Sequence, residues 1–207
     1  MVKYVLHYFK GFNGRGESIR LAFKLAGVDY EERNFEYADW PKLKPNYVTQ
    51  QTPSLEVDGT MICQSKAILR YLAREFGFYG KTSLDAAFID QTLDTIEDIW
   101  SEVNVVFHGP PESRPERMER FLKDVVPPIY ATLERLLAQE QAGEFFVGNS
   151  ITAADLFFFT AVDMANHISK GANTLEKCPK LSALKERIAA NPKIAAWLAV
   201  RPPEATF

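Results

Sequence analysis

The first part of the chain alternates between strand-like and helix-like hydrophobic patterns. Residues 3–9 are mostly β-branched and aromatic, as in strands, and after a glycine-containing turn the apolar residues of 19–25 recur at helical spacing. Gly27 stands where a glycine commonly ends a helix, and residues 30–35 alternate like a second strand. This order predicts a β-α-β unit with a parallel strand pair.

The next stretch continues the mixed pattern. After a short helical piece at residues 39–43, residues 53–62 show two short strands joined by an Asp-Gly turn, which is a strong hairpin signal. Ser65 then begins a helix that ends near Gly77. Residues 1–80 are therefore predicted to form a β-α-β-α-β-β-α domain.

From Leu84 onward the pattern is helical throughout. Apolar residues recur at helical spacing over 88–107, and Pro127-Pro128 must kink or restart a helix over 115–137 because proline lacks an amide proton. Thr152 to Asp155 has the spacing of a capping box, which predicts the start of another helix. The predicted fold class is thus α/β plus all-α, with a helical bundle at residues 84–207.

Composition narrows the choice of partners. The chain has 207 residues, 46% of them hydrophobic, and a formal net charge of −3, which argues against a nucleic-acid surface because such surfaces are basic. No apolar run reaches membrane-spanning length, the first residues do not resemble a signal peptide, and Cys63 and Cys178 form no Cys-x-x-Cys pair. We expect a cytoplasmic protein that binds small molecules, without nucleic acid or membrane.

Tyr8 is the first candidate for chemistry. It ends the first strand just before a turn and a helix, where α/β folds place functional groups. On position and residue type alone, an ordinary strand aromatic is the commoner explanation, because aromatic residues are frequent in strands. The glycines that follow have the order G-x-x-G-x-G, which is not the dinucleotide-binding fingerprint, and the histidines have no metal-ligand spacing, so no metal is expected.

Several motifs elsewhere in the chain strengthen the hypothesis that Tyr8 has a chemical role. They occur in the order Tyr8-Phe9, Arg15-Gly16-Glu17, Asp39-Trp40-Pro41, Thr52-Pro53-Ser54-Leu55, Gln64-Ser65-Lys66-Ala67-Ile68 and Phe145 to Ser150. With this order and spacing the chain resembles sigma-class glutathione transferases over essentially its whole length, and it is similar to nematode members of that class. The resemblance implies a thioredoxin-like N-terminal domain that binds glutathione as co-substrate, no other cofactor, and a homodimer.

The resemblance gives Tyr8 a specific role, in which its hydroxyl stabilises the thiolate of bound glutathione. A thiol with a pKa of about 8.5 becomes mostly thiolate at neutral pH only if its pKa falls by roughly two units, or about 2.7 kcal/mol. A hydrogen bond to a charged group contributes about 1.5–3 kcal/mol, and a tyrosine can donate while it remains neutral. One hydroxyl can nearly supply the required stabilisation.

The resemblance also implies two sets of binding residues. The predicted glutathione contacts are Tyr8, Arg15, Trp40, Lys44, Gln50, Gln51, Thr52, Pro53, Gln64, Ser65 and Asp98. The predicted contacts of the hydrophobic second substrate are Phe9, Phe12, Trp100, Asn104 and Phe107. Asp98 would reach glutathione across the dimer interface.

Simpler interpretations stay open for several of these residues. Ser65 could be a plain helix cap, although a helix start also suits the γ-glutamyl carboxylate. Thr52-Pro53 matches the family's cis-proline, although most X-Pro bonds are trans. Asp98 could be a solvated carboxylate on its helix.

Two departures from the sigma pattern bear on the site. One extra residue separates Tyr8-Phe9 from Arg15, which leaves the position of Arg15 open, and Gln51-Thr52 replaces the usual basic and aliphatic pair. Three functions are compatible with the residues: conjugation of glutathione to hydrophobic electrophiles in detoxification, glutathione-dependent isomerisation of the prostaglandin D type, and a non-catalytic role as a carrier of haem or other apolar ligands or as a lens-type protein.

Overall fold

The computed structural model of the chain describes residues 2–139 and 141–203. The described residues divide into two compact units: unit 1 contains residues 2–77 together with the segment that begins at Asn191, and unit 2 runs from Phe78 to Ala190. The sequence had placed all of residues 84–207 in the helical domain, of which 204–207 lie outside the described residues. The segment from Asn191 groups with unit 1 because Trp197 and Arg201 both contact Glu17 there.

Unit 1 has the predicted β-α-β-α-β-β-α order. Its elements are β1 (Tyr4–Phe9), α1 (Glu17–Ala26), β2 (Glu31–Phe35), α2 (Trp40–Leu43), β3 (Ser54–Val57), β4 (Thr60–Cys63) and α3 (Ser65–Phe76). The described strands form one sheet in the order β2-β1-β3-β4, in which β1 and β2 are parallel and the other neighbours are antiparallel. The predicted parallel pair and hairpin are both confirmed.

Alternation along β1 decides which side chains meet the helices. Successive strand residues point to opposite faces, so Tyr4, Leu6 and Tyr8 share one face. The ring of Tyr4 lies 5.2 Å from that of Phe23 on α1 and 6.0 Å from that of Phe76 on α3. Tyr8 is therefore on the face of the sheet that α1 and α3 cover.

Unit 2 is helical in its described residues apart from connecting turns and an isolated β-bridge between Ala142 and Gly148. Its helices are α4 (Ser83–His108), α5 (Arg114–Arg120), α6 (Val126–Leu137), α7 (Ala153–Ile168) and α8 (Pro179–Ala189). Residues Phe121–Val125 form a wider π-helical turn between α5 and α6, immediately before the proline pair. The helix is interrupted where Pro127-Pro128 removes two amide donors, as predicted.

The segment that follows unit 2 carries the short helix α9 (Pro192–Leu198). The side chain of Asn191 caps this helix by accepting hydrogen bonds from the backbone amides of Lys193 and Ile194. Within residues 2–139 and 141–203, none of the helices has the length and apolar content needed to cross a membrane.

Candidate functional site

The hydroxyl of Tyr8 is the centre of the candidate site. Tyr8 is 7% exposed near the carboxyl end of β1, and its hydroxyl oxygen accepts a hydrogen bond of 3.1 Å from the backbone amide of Arg15. A neutral phenol can accept one hydrogen bond and donate another. This arrangement suits a neutral donor to an anion.

Two glycines permit the close approach of the loop to Tyr8. A Cβ on Gly14 would lie 2.5 Å from the Tyr8 hydroxyl oxygen, and one on Gly16 would lie 2.7 Å from the Tyr8 ring. Gly14 also has a φ of +41°, which L side chains adopt at a cost. The loop can lie against the phenol only because these two positions carry no side chain.

The extra residue in the loop left the position of Arg15 open, and the structure shows where its backbone lies. Residues 14–16 form a single 3-10 turn that brings the Arg15 amide to Tyr8. The hydroxyl of Ser18 donates to the Arg15 carbonyl at 3.2 Å and fixes the turn from the other side. The longer loop therefore still brings Arg15 to Tyr8.

A second group of predicted residues surrounds the start of α3. The Thr52-Pro53 bond is cis, as predicted, and the Thr52 hydroxyl donates to the His7 carbonyl at 2.9 Å. The Gln64 amide nitrogen donates to the Gln51 side-chain oxygen at 2.8 Å. Gln64 has a φ of 75°, a strained conformation for a non-glycine residue, and it directly precedes α3.

Ser65 lies at the first residue of α3 and is 5% exposed. The first amides of a helix have no partner within the helix, and the helix dipole adds positive potential there. Gln51, Thr52, Gln64 and Ser65 are thus held close together beside donors that could bind a carboxylate.

Trp40, Lys44 and Gln50 lie on and after α2. Trp40 is half-buried, and its ring stacks on Phe35 at 5.3 Å with the planes 9° apart, so aromatic packing explains much of its environment. Lys44 and Gln50 are exposed. Their predicted contacts with a glycine carboxylate stay predictions.

An aromatic cluster adjoins the loop at the carboxyl ends of β1 and β2. The ring of Phe9 lies 5.7 Å from that of Phe12 and 5.1 Å from that of Tyr37, and Phe12 and Tyr37 stack at 6.1 Å. Tyr37 is 53% exposed. Tyr37 was not predicted from the sequence, although the parallel β1 and β2 end at the same edge, so residues that follow the two strands are expected to meet there.

The remaining predicted residues belong to unit 2 and lie on α4. Trp100 is 3% exposed, with its ring 6.1 Å from that of Phe157, whereas Asp98 and Asn104 are exposed. Phe107 is half-buried under the guanidinium of Arg114. Their roles in binding glutathione or a second substrate stay predictions.

His7 is a buried titratable group beside the site. Burial lowers the pKa of His7 below its usual value, and the positive charge of Arg33 acts in the same direction. Its Nδ1 lies 3.0 Å from the Tyr47 hydroxyl and its Nε2 3.5 Å from a Glu56 carboxylate oxygen. In the part of the chain that the structure describes, no three His, Cys, Asp or Glu side chains lie together so that they could hold a metal ion.

Comparison with known proteins gives consistent matches. Residues 4–74 match the family model described as glutathione S-transferase, N-terminal domain, and residues 97–201 match that described as glutathione S-transferase, C-terminal domain. The chain is 39% identical to hematopoietic prostaglandin D synthase of Gallus gallus over 207 residues, covering 98% of each chain. It is 38% identical to probable glutathione S-transferase 5 of Caenorhabditis elegans over 208 residues, again covering 98% of each.

A solved structure indicates the same family. The sigma-class glutathione transferase of Fasciola hepatica superposes with a TM-score of 0.85 at 30% identity, over 100% of this chain and 98% of that one. The predicted resemblance to the sigma class and to nematode members is confirmed at the level of the family.

Proposed function

The chain belongs to the glutathione S-transferase family, and from that membership we propose that it conjugates the thiolate of glutathione to hydrophobic electrophiles. The observation that carries the proposal is the hydrogen bond from the Arg15 amide to the Tyr8 hydroxyl. A phenol that accepts this bond can also donate one to a thiolate sulfur. Glutathione acts as a co-substrate, and the proposal needs no other cofactor.

The charge balance of the step is simple. The thiol of glutathione loses its proton to water, and the Tyr8 hydroxyl donates a hydrogen bond to the resulting thiolate, which lowers the thiol pKa. The thiolate attacks the electrophilic carbon, a carbon–sulfur bond forms, and the leaving group departs with the electron pair of its bond. Tyr8 keeps its own proton throughout.

The residues around the start of α3 are proposed to hold the peptide part of glutathione. The backbone next to the cis Thr52-Pro53 bond offers an extended edge for the cysteinyl unit, and Ser65 offers a helix start for the γ-glutamyl carboxylate. Trp40, Lys44, Gln50 and Gln51 are proposed to contact the glycine end. The neutral Gln51 gives less attraction to a carboxylate than a lysine would.

The aromatic cluster supports an apolar second substrate. Phe9, Phe12 and the exposed Tyr37 offer ring faces beside the loop that holds Tyr8. Within unit 2, Trp100, Asn104 and Phe107 are proposed to contribute as well. We further propose that the protein is a cytoplasmic homodimer in which Asp98 contacts the partner's glutathione; sedimentation would test the dimer.

A conjugation assay tests the function directly. Wild-type protein with glutathione and a chlorodinitrobenzene should form the thioether, whose absorbance measures the rate. Calorimetry should separately show that the protein binds glutathione. Normal glutathione binding without measurable thioether formation would reject conjugation. That result would favour a carrier, which a haem titration would then examine.

A second candidate function rests on the 39% identity to a hematopoietic prostaglandin D synthase. The same thiolate sulfur would attack one endoperoxide oxygen and break the O–O bond, and the alkoxide formed would take a proton from water. Loss to water of the proton on the carbon that bears the sulfur-bound oxygen would then form a carbonyl, break the S–O bond and release the thiolate unchanged. Incubation with the prostaglandin endoperoxide and glutathione, with product identification by mass spectrometry, distinguishes the two reactions. Formation of prostaglandin D at a rate above that of conjugation would make isomerisation the main activity.

Gly14→Ala is expected to lower kcat/KM for conjugation by about tenfold, since loss of 1.4 kcal/mol from a charged hydrogen bond is a factor of ten. The new Cβ would lie 2.5 Å from the Tyr8 hydroxyl oxygen and must displace it. Steady-state kinetics measure the change. Gly11→Ala is the matched control, because Gly11 also has a positive φ, 76°, but no atom within 4 Å of an added Cβ.

Both alanine variants should lose about 1–2 kcal/mol of stability from the left-handed backbone conformation. After correction for the fraction of folded protein, only Gly14→Ala should have a lower kcat/KM than the wild type. Equal kcat/KM values for the two variants would show that the close approach at Gly14 does not position Tyr8.

A further inference from the structure

A buried carboxylate connects the C-terminal segment to the start of α1. Glu17 is 1% exposed, and one of its oxygens accepts hydrogen bonds from the indole nitrogen of Trp197 at 2.8 Å and from Arg201 at 3.1 Å. Its other oxygen lies 3.4 Å from Arg20. Because a buried carboxylate is stable only with such partners, these contacts fix the C-terminal segment against α1.

The same network reaches the loop that contacts Tyr8. Arg20 donates to the Phe12 carbonyl at 3.0 Å, and its guanidinium lies 5.7 Å from the centre of the Tyr8 ring. The side-chain amide of Asn13 donates to the Pro202 carbonyl at 3.2 Å. The first part of the loop is thus held both through Glu17 and Arg20 and directly by the C-terminal segment.

The backbone carries this restraint to Arg15. The Glu17 amide donates to the Asn13 carbonyl at 2.8 Å, which closes the turn between them. The Arg15 amide, inside this turn, donates to Tyr8. A loop of this length with glycines at positions 11, 14 and 16 has many conformations available, so contacts from outside the loop are needed to hold one of them.

We infer that Arg201, acting through Glu17, is a positioning residue that keeps the Arg15 amide on the Tyr8 hydroxyl. Without Arg201, Glu17 must take its compensating charge from Arg20 or from water, and Arg20 also pairs with Glu32 at 2.9 Å and donates to the Phe12 carbonyl. The loop then loses part of its restraint, and the Tyr8 hydroxyl becomes a poorer donor. The catalytic consequence rests on the proposed function.

The experiment compares Arg201→Ala with Lys193→Ala in the full chain. Lys193 lies in the same C-terminal segment, but its ammonium group donates to the Leu25 carbonyl at the opposite end of α1. Arg201→Ala should raise the apparent pKa in the pH profile of kcat/KM by about 0.5–1 unit, so activity at pH 6.5 falls by about three- to tenfold and recovers at high pH. Lys193→Ala should keep the wild-type profile.

Two conservative variants separate positioning from general destabilisation. Arg201→Lys keeps a positive charge for Glu17 and should recover part of the shift. Trp197→Phe keeps an aromatic ring but removes the N–H that donates to Glu17, and should shift the profile in the same direction by less. An Arg201→Ala variant whose activity falls by one factor at every pH would overturn the inference.

Hydrogen–deuterium exchange provides a readout that does not depend on catalysis. Residues 12–16 should exchange faster in Arg201→Ala than in the wild type or in Lys193→Ala, at matched fractions of folded protein. Unchanged exchange there would reject the inference whatever the activity. If the wild type forms no thioether while the exchange result holds, conjugation fails and the control of the loop by Arg201 stands.

Discussion

Asp155→Ala is expected to destabilise unit 2 by about 3–5 kcal/mol, as the removal of one member of a buried, hydrogen-bonded charged group does. One oxygen of Asp155 accepts from the Thr152 amide at 2.8 Å and the Thr152 hydroxyl at 2.6 Å. The other accepts from the Phe146 amide at 3.1 Å. Asp155 is 0% exposed, so alanine would leave these donors buried without an acceptor.

Chemical denaturation measures this loss, and Asp163→Ala is the matched control. Asp163 is also a carboxylate on α7, but its side chain is 24% exposed and pairs with Lys185 at 2.8 Å. A partly exposed ion pair of this kind contributes about 0–1 kcal/mol. Equal destabilisation by the two variants would contradict a special structural role for Asp155.

The same carboxyl should give stability a pH dependence. Burial raises the pKa of Asp155 to about 6, although its hydrogen bonds to Thr152 and Phe146 act in the opposite direction. The folded state therefore binds this proton more tightly than the unfolded state, whose pKa is about 3.9. The stabilisation from protonation is complete below pH of about 4 and is lost as pH rises through about 6, a change of up to about 3 kcal/mol.

The Asp155→Asn variant provides the test, because its amide side chain does not titrate in this pH range. As pH rises from about 4 to about 6, the unfolding free energy of the wild type should therefore fall relative to that of Asp155→Asn. A difference that stays constant over this range would show that Asp155 does not titrate there.

Local signals made much of the fold predictable from the sequence. The capping box was visible because Thr152 and Asp155 are three residues apart, and both of its hydrogen bonds are formed. The hairpin was visible because its turn is an Asp-Gly pair, and strand β1 because its residues are β-branched and aromatic. Each of these features depends on neighbouring residues, so a single sequence carries it.

Long-range pairs could not be predicted in this way. Glu17 and Arg201 are 184 positions apart, and nothing in the sequence near either residue indicates that they meet. The grouping of α9 with unit 1 depends on this contact, so the predicted boundary of the helical domain differs from the structure at that end. The cis bond at Thr52-Pro53 was predicted only through the resemblance, because most X-Pro bonds are trans.

For part of the candidate site, the sequence predicted which residues take part but not how they contact one another. Tyr8 was a candidate from its place at the end of β1, and the resemblance gave it its role. The contact with the Arg15 amide depends on Gly14 and Gly16, whose missing side chains let the loop approach. Tyr37 was missed because a single exposed aromatic after a strand carries no local signal of its own. Its role becomes visible only when β1 and β2 are placed side by side.

Tyr8→Phe is expected to lower kcat/KM for conjugation at neutral pH by about 10- to 100-fold. The variant keeps the ring and its packing but loses one hydrogen bond to a thiolate, which contributes about 1.5–3 kcal/mol, and each 1.4 kcal/mol is a factor of ten. Rates measured from pH 5.5 to 9.5 test the physical cause. The apparent pKa of bound glutathione should rise by about one to two units, so the variant should approach the wild-type rate at the highest pH.

Tyr4→Phe is the matched control for this prediction. Tyr4 is a buried tyrosine on the same face of β1, and burial raises its pKa to about 12, so its hydroxyl stays neutral throughout the assay. Removal of that hydroxyl should leave the pH profile unchanged. If Tyr8→Phe and Tyr4→Phe share one profile, the Tyr8 hydroxyl does not stabilise the thiolate; if only Tyr8→Phe shifts, the effect belongs to the one phenol that receives the Arg15 amide.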